Sequence, residues 1–392
     1  MVERKDRVWA EIRLDLLGRN LETVSAALPR GTRILAVLKA DAYGHGAVPV
    51  ARYLVKRRVP FLGVGNSSEA LALRKAGLTV PILILGAIIG EEMEKVVRYD
   101  ITPTIHSTER MELLEQACRR AGKRLKVHLK VDTGMGRLGV MPEKALELAR
   151  RLLASPVLEL EGISSHLATS HTDDSSYVGR QLSAFRSLLD RLAQEGIRPP
   201  LVHLANSAAV FHYPEACFNL VRCGASLYGI DPGNLHRQPL SPILTLKSQV
   251  IFIKDLPPGS AVGYGGTYLT SRPTRTAILP VGYNDGLPLL LSNRGRVLVR
   301  GKSAPIVGRI SMDYTTVDIS HLPGVHVGDE VVLLGTQWEN TITLTEVATL
   351  AQTIPYQLTC ALGKRVLRRY LDGPPARSPV QEKTRGMFSA KG

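Results

Sequence analysis

The sequence predicts an α/β chain: an N-terminal (β/α)8 TIM-like barrel followed by a mainly β domain. Two observations carry that reading. From residue 15 to about 225, eight short apolar, β-branched runs alternate with amphipathic stretches of helical period. After about residue 240 the helical period largely disappears, and strand-like runs are broken by Gly, Pro and Asp turns. Eight strands with intervening helices fit a closed barrel better than an open doubly wound sheet.

The predicted barrel strands are Arg33–Leu38, Phe61–Val64, Pro81–Leu85, Ile101–Ile105, Leu125–Val131, Leu158–Ser164, Leu201–Leu204 and Asn219–Val221. Helical stretches such as "SSEALALRKAG" and "STERMELLEQACRRAG" separate them, with Ser67 and Ser107 as expected N-caps and Gly77 and Gly122 as expected stops. Residues 15–240 are therefore assigned to the barrel. Residues 241–372 form the β domain, built from runs such as "SPILTLKSQVIFIKDLPPG", "TRTAILPVGY", "GRVLVRG" and "GDEVVLLG", with one helix around Leu344–Gln352. The opening "RVWAEIRLD" alternates like a strand, so residues 1–14 are expected to pair with the β domain. The tail, 373–392, is Pro-, Gly- and charge-rich and is expected to be disordered and basic.

Composition excludes several classes. The net charge is +15, but basic residues are scattered and aromatics are only 5%, so no nucleic-acid-binding stripe is present. A basic surface that attracts small anionic ligands fits better. No apolar run approaches the roughly 18 residues that span a bilayer, so no membrane partner is expected. The opening residues lack a signal-peptide apolar region, which makes a cytoplasmic protein the expectation. Cys118, Cys217, Cys223 and Cys360 form no C-x-x-C pair, so neither a metal site nor a disulfide framework is expected.

In a barrel the strand C-termini face the active site. Lys39 ends the first predicted strand, inside "AVLKADAYGHG". "KVDTGMGRLG" ends the fifth and supplies Lys130, Asp132 and Arg137; "SSHLATS" ends the sixth with His166. "HLANSAA" brings His203, Asn206 and Ser207 to the seventh, and "VRCGASLYG" brings Arg222, Gly224 and Ala225 to the eighth. A lysine desolvated among cations has a lowered pKa and forms Schiff bases. Small residues after the last two strands suit a phosphate. On chemistry alone, pyridoxal phosphate and a Schiff-base aldolase both fit.

These motifs, with "VGYGGTY", "LPVGYNDGLP", "VGRISMDYTTVDI" and "IPYQLTC", resemble alanine racemase, a fold-type III pyridoxal-phosphate family, from about residue 8 to about 371. The resemblance implies a homodimer that racemises L- and D-alanine with pyridoxal 5'-phosphate, supplying D-alanine for peptidoglycan. Lys39 would hold the cofactor as a Schiff base and act as one base. Tyr264, from the partner's β domain, would be the other, helped by His166 and Arg222. Tyr43, Asn206, Ser207, Gly224, Ala225 and Tyr356 would bind the cofactor, with Arg137, His166 and Arg222. Arg137 and Met312 would meet the substrate carboxylate. Lys130 matches a carbamylated lysine, and Tyr283 and Tyr356 a pair narrowing the entrance. Ser311, Cys223, Ala225 and Asn284 depart from the family's usual residues. The remaining readings are a racemase of serine or of broad specificity, and a non-enzymatic pyridoxal-phosphate carrier.

Overall fold

The computed structural model describes residues 6–172, 174–231 and 240–373. The tail expectation therefore falls almost wholly outside the described residues. The first strand, β1 (Val8–Arg13), is followed by eight parallel strands: β2 (Arg33–Val37), β3 (Phe61–Val64), β4 (Ile82–Ile84), β5 (Thr102–Ile105), β6 (Leu125–Lys130), β7 (Leu158–Ser164), β8 (Leu201–His203) and β9 (Leu220–Cys223). Their spatial order is β8-β7-β6-β5-β4-β3-β2-β9. The ring closes between β8 and β9 through a single bridge, Asn206 to Arg222, where the Arg222 N–H donates to Ala205 O at 3.0 Å. Eight parallel strands in a nearly closed barrel are what the sequence pattern predicts, with ends shifted by a residue or so.

The barrel interior has two unlike halves. Leu35 and Val37 of β2, Leu83 of β4, Leu201 of β8 and Leu220 of β9 form a buried apolar cluster with Phe61 packed against it. On β6, the inward positions are instead Lys126, His128 and Lys130, since Val127 and Leu129 are fully buried on the other face. A polar row stacked inside a barrel must find partners, and it points toward the site.

β1 does not join the barrel. It runs antiparallel to Leu244–Gln249, with Trp9 opposite Lys247, and parallel to Leu367–Leu371, with Trp9 opposite Leu367. The sheet continues through Glu330–Gln337, Arg296–Val299 and Lys302–Pro305. Phe252–Leu256, Thr274–Leu279 and Thr315–Asp318 form a second sheet. The single run "SPILTLKSQVIFIKDLPPG" thus becomes two strands in different sheets. The Val250 N–H turns to Asp329 O at 2.9 Å between them. Two more expectations need correction. Asn66, not Ser67, caps its helix, accepting from the Glu69 N–H at 3.0 Å. A second short helix, Pro355–Cys360, follows Leu344–Leu350, started by a proline at its first position. Among the described residues no helix is long and apolar enough to cross a membrane.

Asn20, 1% exposed on helix Leu14–Ala26, fastens the barrel to the segment leading into the β domain. Its amide donates to Leu227 O (3.0 Å) and Ser241 O (2.8 Å) and accepts from the Ser241 N–H (2.9 Å). Asn20→Leu keeps the bulk but strands three backbone groups, the buried Leu227 carbonyl and the part-buried N–H and carbonyl of Ser241. It should cost about 2–4 kcal/mol, read as a lower urea midpoint; an unchanged midpoint would show that water replaces the amide.

Candidate active site

Lys39 follows β2 by two residues and opens a single turn of left-handed helix. Ala40, Asp41, Ala42 and Tyr43 have φ between 52° and 55°. None is glycine, and at about 1–2 kcal/mol per residue the turn stores on the order of 4–8 kcal/mol. Local bonds offset part of it. The Ala42 N–H reaches Leu38 O and the Gly44 N–H reaches Ala40 O, both at 2.8 Å. Asp41 Oδ1 accepts from the Ala47 N–H at 2.7 Å. Glu69 accepts from the Ala40 N–H (2.8 Å) with one carboxylate oxygen and from the Gly65 N–H (2.7 Å) with the other.

The β-domain chain clamps the turn from outside. Arg368 Nε donates to Gly44 O at 3.2 Å, and the Tyr370 hydroxyl donates to His45 O at 3.1 Å. The His45 ring stacks on Tyr228 at 4.7 Å, and the Tyr228 hydroxyl donates to Val37 O at 2.8 Å. The turn seats Tyr43 against Gly224, where a Cβ would collide with its hydroxyl. Lys39 Nζ stands 5.8 Å from the Tyr43 ring centre, and Tyr356 meets that ring edge-on at 6.1 Å.

Cations crowd the same rim. Arg222 is 6% exposed, and its terminal nitrogens make five bonds. Nη1 donates to His203 Nδ1 and His203 O, and Nη2 donates to His166 Nδ1 and Leu204 O, all at 2.9 Å, and to Ser165 O at 2.8 Å. Burial lowers its pKa to about 10, so it remains a cation at neutral pH. Burial first, then Arg137, pushes Lys39 below the usual lysine value. Burial, Arg222 and Arg137 push Lys130 far lower. Burial and Arg222 do the same to His166, leaving it neutral. Since Arg222 can only donate, His166 carries its proton on Nε2.

Arg137 lies on a loop wrapped around Asp132, whose carboxylate accepts from the N–H groups of Gly134 (2.9 Å), Met135 (2.7 Å) and Arg137 (2.9 Å). Asn206 caps helix Ser207–His212 and accepts from the Ser170 hydroxyl at 2.9 Å. Ser207 Oγ accepts from the Gly224 N–H at 2.9 Å, beside buried Ala225. Burial raises the Tyr43 phenol, which stays a donor. An amine, a fixed guanidinium, two hydroxyls and a glycine-walled cradle make a donor set that fits a phosphorylated carbonyl compound such as pyridoxal phosphate.

Tyr264, Tyr283 and Met312 form a separate group on the β domain. Tyr264, Tyr283 and Ser311 line one pocket, and the Asn284 N–H donates to Met312 O at 3.3 Å. Tyr264 is 71% exposed, and Tyr283 and Met312 are exposed as well. Ser311 holds its own turn, with Oγ bonded to the N–H and carbonyl of Tyr314 at 3.0 Å. Cys223 is fully buried, and burial raises its thiol to about 12, which makes it inert. Sequence reasoning missed Glu69, Asp41, Tyr228, His128 and Glu161. Only the lysine–histidine–lysine alternation within "LKVHLK" hinted at a polar interior row.

Gly44 has φ 81°, and a Cβ there would run into the carbonyl of Thr359. Gly44→Ala should cost about 2–4 kcal/mol and slow borohydride trapping of a small aldehyde on Lys39. Wild-type trapping and an unchanged urea midpoint would show that the turn tolerates a side chain.

The geometry can be set beside known proteins. Residues 12–232 match the alanine racemase N-terminal domain, and residues 243–370 match the alanine racemase C-terminal domain. The alanine racemase of Syntrophobacter fumaroxidans is 43% identical over 93% of this chain and 98% of its own. That of Halothermothrix orenii is 41% identical over 92% of this chain and 96% of its own. Among solved structures, alanine racemase from Clostridium difficile 630 superposes with a TM-score of 0.92 at 35% identity, covering 96% of this chain and 98% of that one. The Bartonella henselae alanine racemase with covalently bound pyridoxal phosphate gives 0.83 at 34% identity, over 93% and 99% of the two chains. The strand order, the rim chemistry and these likenesses agree, and the chain belongs to the alanine racemase family.

Proposed function

We propose that the chain interconverts L- and D-alanine, with pyridoxal phosphate held at the barrel rim and a base on each face of the substrate. The observation that carries this is the pairing of a desolvated rim lysine with a neutral histidine fixed by a buried arginine. Bound there, pyridoxal phosphate supplies the electron sink that acidifies the α-proton of an amino acid.

Lys39 would hold the cofactor covalently and would exchange the proton on one face. Its lowered pKa raises the neutral fraction at any given pH, and only the neutral amine attacks a carbonyl or accepts a proton. Tyr43, Ser207, Gly224, Ala225 and Tyr356 hold the phosphate, with Asn206 fixing the loop. The Nε–H of Arg222, which its five bonds leave aside, is the donor that would hold the ring nitrogen. Because Arg222 keeps its proton, it would leave the ring nitrogen unprotonated and the sink weak, which would favour return of the α-proton over loss of a carboxylate or amine. Arg137 binds the substrate carboxylate.

Tyr264 serves the opposite face in a second copy of the chain, together with Met312 and Tyr283, so that a homodimer shares its sites. A phenol titrates near 10 and needs help to act as a base. The Nε2–H of His166 donates to the phenolate and lowers that cost. Tyr283 and Tyr356 narrow the entrance to small side chains, which favours alanine over serine. Lys130, whose amine burial, Arg222 and Arg137 push well below the usual lysine value, is suited to add carbon dioxide with loss of one proton to solvent, and the resulting carbamate would set a negative charge beside the two guanidiniums.

Lys39→Ala should abolish cofactor attachment, and Tyr264→Phe should slow racemisation by at least about 100-fold with cofactor still bound. Unfolding and refolding the two variants together should return about one quarter of wild-type activity, because half of the dimers would carry one intact site; no recovery would rule out shared sites. Carbon-13 dioxide should give a carbamate resonance that Lys130→Arg removes. A spectrum without that resonance would leave Lys130 as a plain amine.

A further inference from the structure

Arg222 has a second chain of partners, leading away from the substrate side and down through the barrel. His203 and His128 are both buried, and they meet at 2.8 Å between His203 Nε2 and His128 Nδ1. His128 Nε2 lies 3.4 Å from Glu161 Oε2. The other oxygen, Glu161 Oε1, accepts from Lys126 Nζ at 2.8 Å near the barrel floor.

The direction of every bond follows from Arg222. A guanidinium has no acceptor, so His203 Nδ1 must accept and its proton sits on Nε2. That proton points at His128 Nδ1, which must accept in turn. The His128 proton then sits on Nε2 and needs an acceptor inside the barrel. Glu161 is the group placed there. Burial alone would raise its carboxyl, but His128 and Lys126 outweigh that and bring it to about 2, so it is an acceptor at every ordinary pH.

The backbone is bent to put it there. β6 and β7 pair Val127 with Leu160 and then His128 with Gly162, so Glu161 is the extra residue of a bulge. Gly162 gives the imidazole its space, since a Cβ would lie 2.6 Å from His128 Cε1 and Nδ1. A bulge and a missing side chain at adjacent positions serve one hydrogen bond.

We propose that Glu161 is a positioning residue: by accepting from His128 it fixes the tautomers of His128 and His203 and thereby orients Arg222 toward the cofactor. The kinetic consequence rests on the role given to Arg222 above, whereas the tautomer chain does not.

The test compares Glu161→Met, which keeps the bulk and removes the acceptor, with Glu161→Gln, which keeps an acceptor. Nitrogen-15 spectra of histidine-labelled full-length protein, with and without cofactor, report the tautomers. Wild type and Glu161→Gln should each show His128 and His203 as single Nε2–H tautomers. Glu161→Met should show mixed or broadened signals and a kcat for L-alanine lower by about 10- to 100-fold, with KM nearly unchanged and cofactor bound. Glu161→Gln should stay within a few-fold of wild type. Gly162→Ala, which crowds the same ring without altering charge, should reproduce the mixed tautomers. Wild-type tautomers in both Glu161→Met and Gly162→Ala would overturn the proposal, as would equal damage by Met and Gln. Mixed tautomers with an undiminished kcat would instead overturn the role of Arg222.

Discussion

A guanidinium buried inside a barrel is the constraint around which the rest is arranged. Arg222 sits on the last strand, at the one seam that closes by a single bridge, and its donors reach carbonyls beyond β7 and β8. An unpaired charge there would cost several kcal/mol, so the carbonyls and two imidazoles are needed to keep it. They also fix the loops that carry His166 and Ser207. The backbone closes the barrel and the charge holds the closing strands to one geometry.

Burial first, and that charge with Arg137 after it, set the acid–base character of the rim. Lys39, Lys130 and His166 all lie in the field of Arg222, and all three are pushed toward their neutral forms. Neutral amines and a neutral imidazole are the forms that add to carbonyls or carbon dioxide and hand on a proton. Carboxylates are rationed by position. Asp132 is wrapped in backbone N–H groups, Glu69 is spent on the Lys39 turn, and Glu161 lies behind two histidines. None lies where it would pair directly with the lysine amine.

Much of this was legible in the sequence. The barrel strands are short apolar runs bounded by turn residues, so periodicity located them within about a residue. Lys39, Arg137 and His166 were legible as a group because each follows a strand end, and strand ends converge; Arg222 follows the predicted end of its strand but lies within the observed one, Leu220–Cys223. What the sequence hid depends on tertiary contact. "KADAY" has ordinary helix-forming residues, and nothing local foretells a left-handed turn; Arg368 and Tyr370 brace it at Gly44 and His45 from the far end of the chain. Glu161 and His128 lie within strands, where a polar residue usually marks the solvent face. Only the bulge, invisible in composition, turns Glu161 inward. The two strands within 244–256 were merged because the bend between them is made by Val250 and Ile251, neither a turn former.

The left-handed turn has a consequence for how the molecule is made. Arg368 follows Gly44, the residue it clamps, by 324 positions. On the ribosome the barrel strands are complete long before Leu367–Leu371 emerges to pair with β1 and bring that clamp into place. Until then the turn has only its bonds within the barrel, from Asp41, Glu69 and the local backbone. The turn that carries Lys39 thus gains its outer brace from the last strand of the sheet, and the first and last parts of the fold meet beside it.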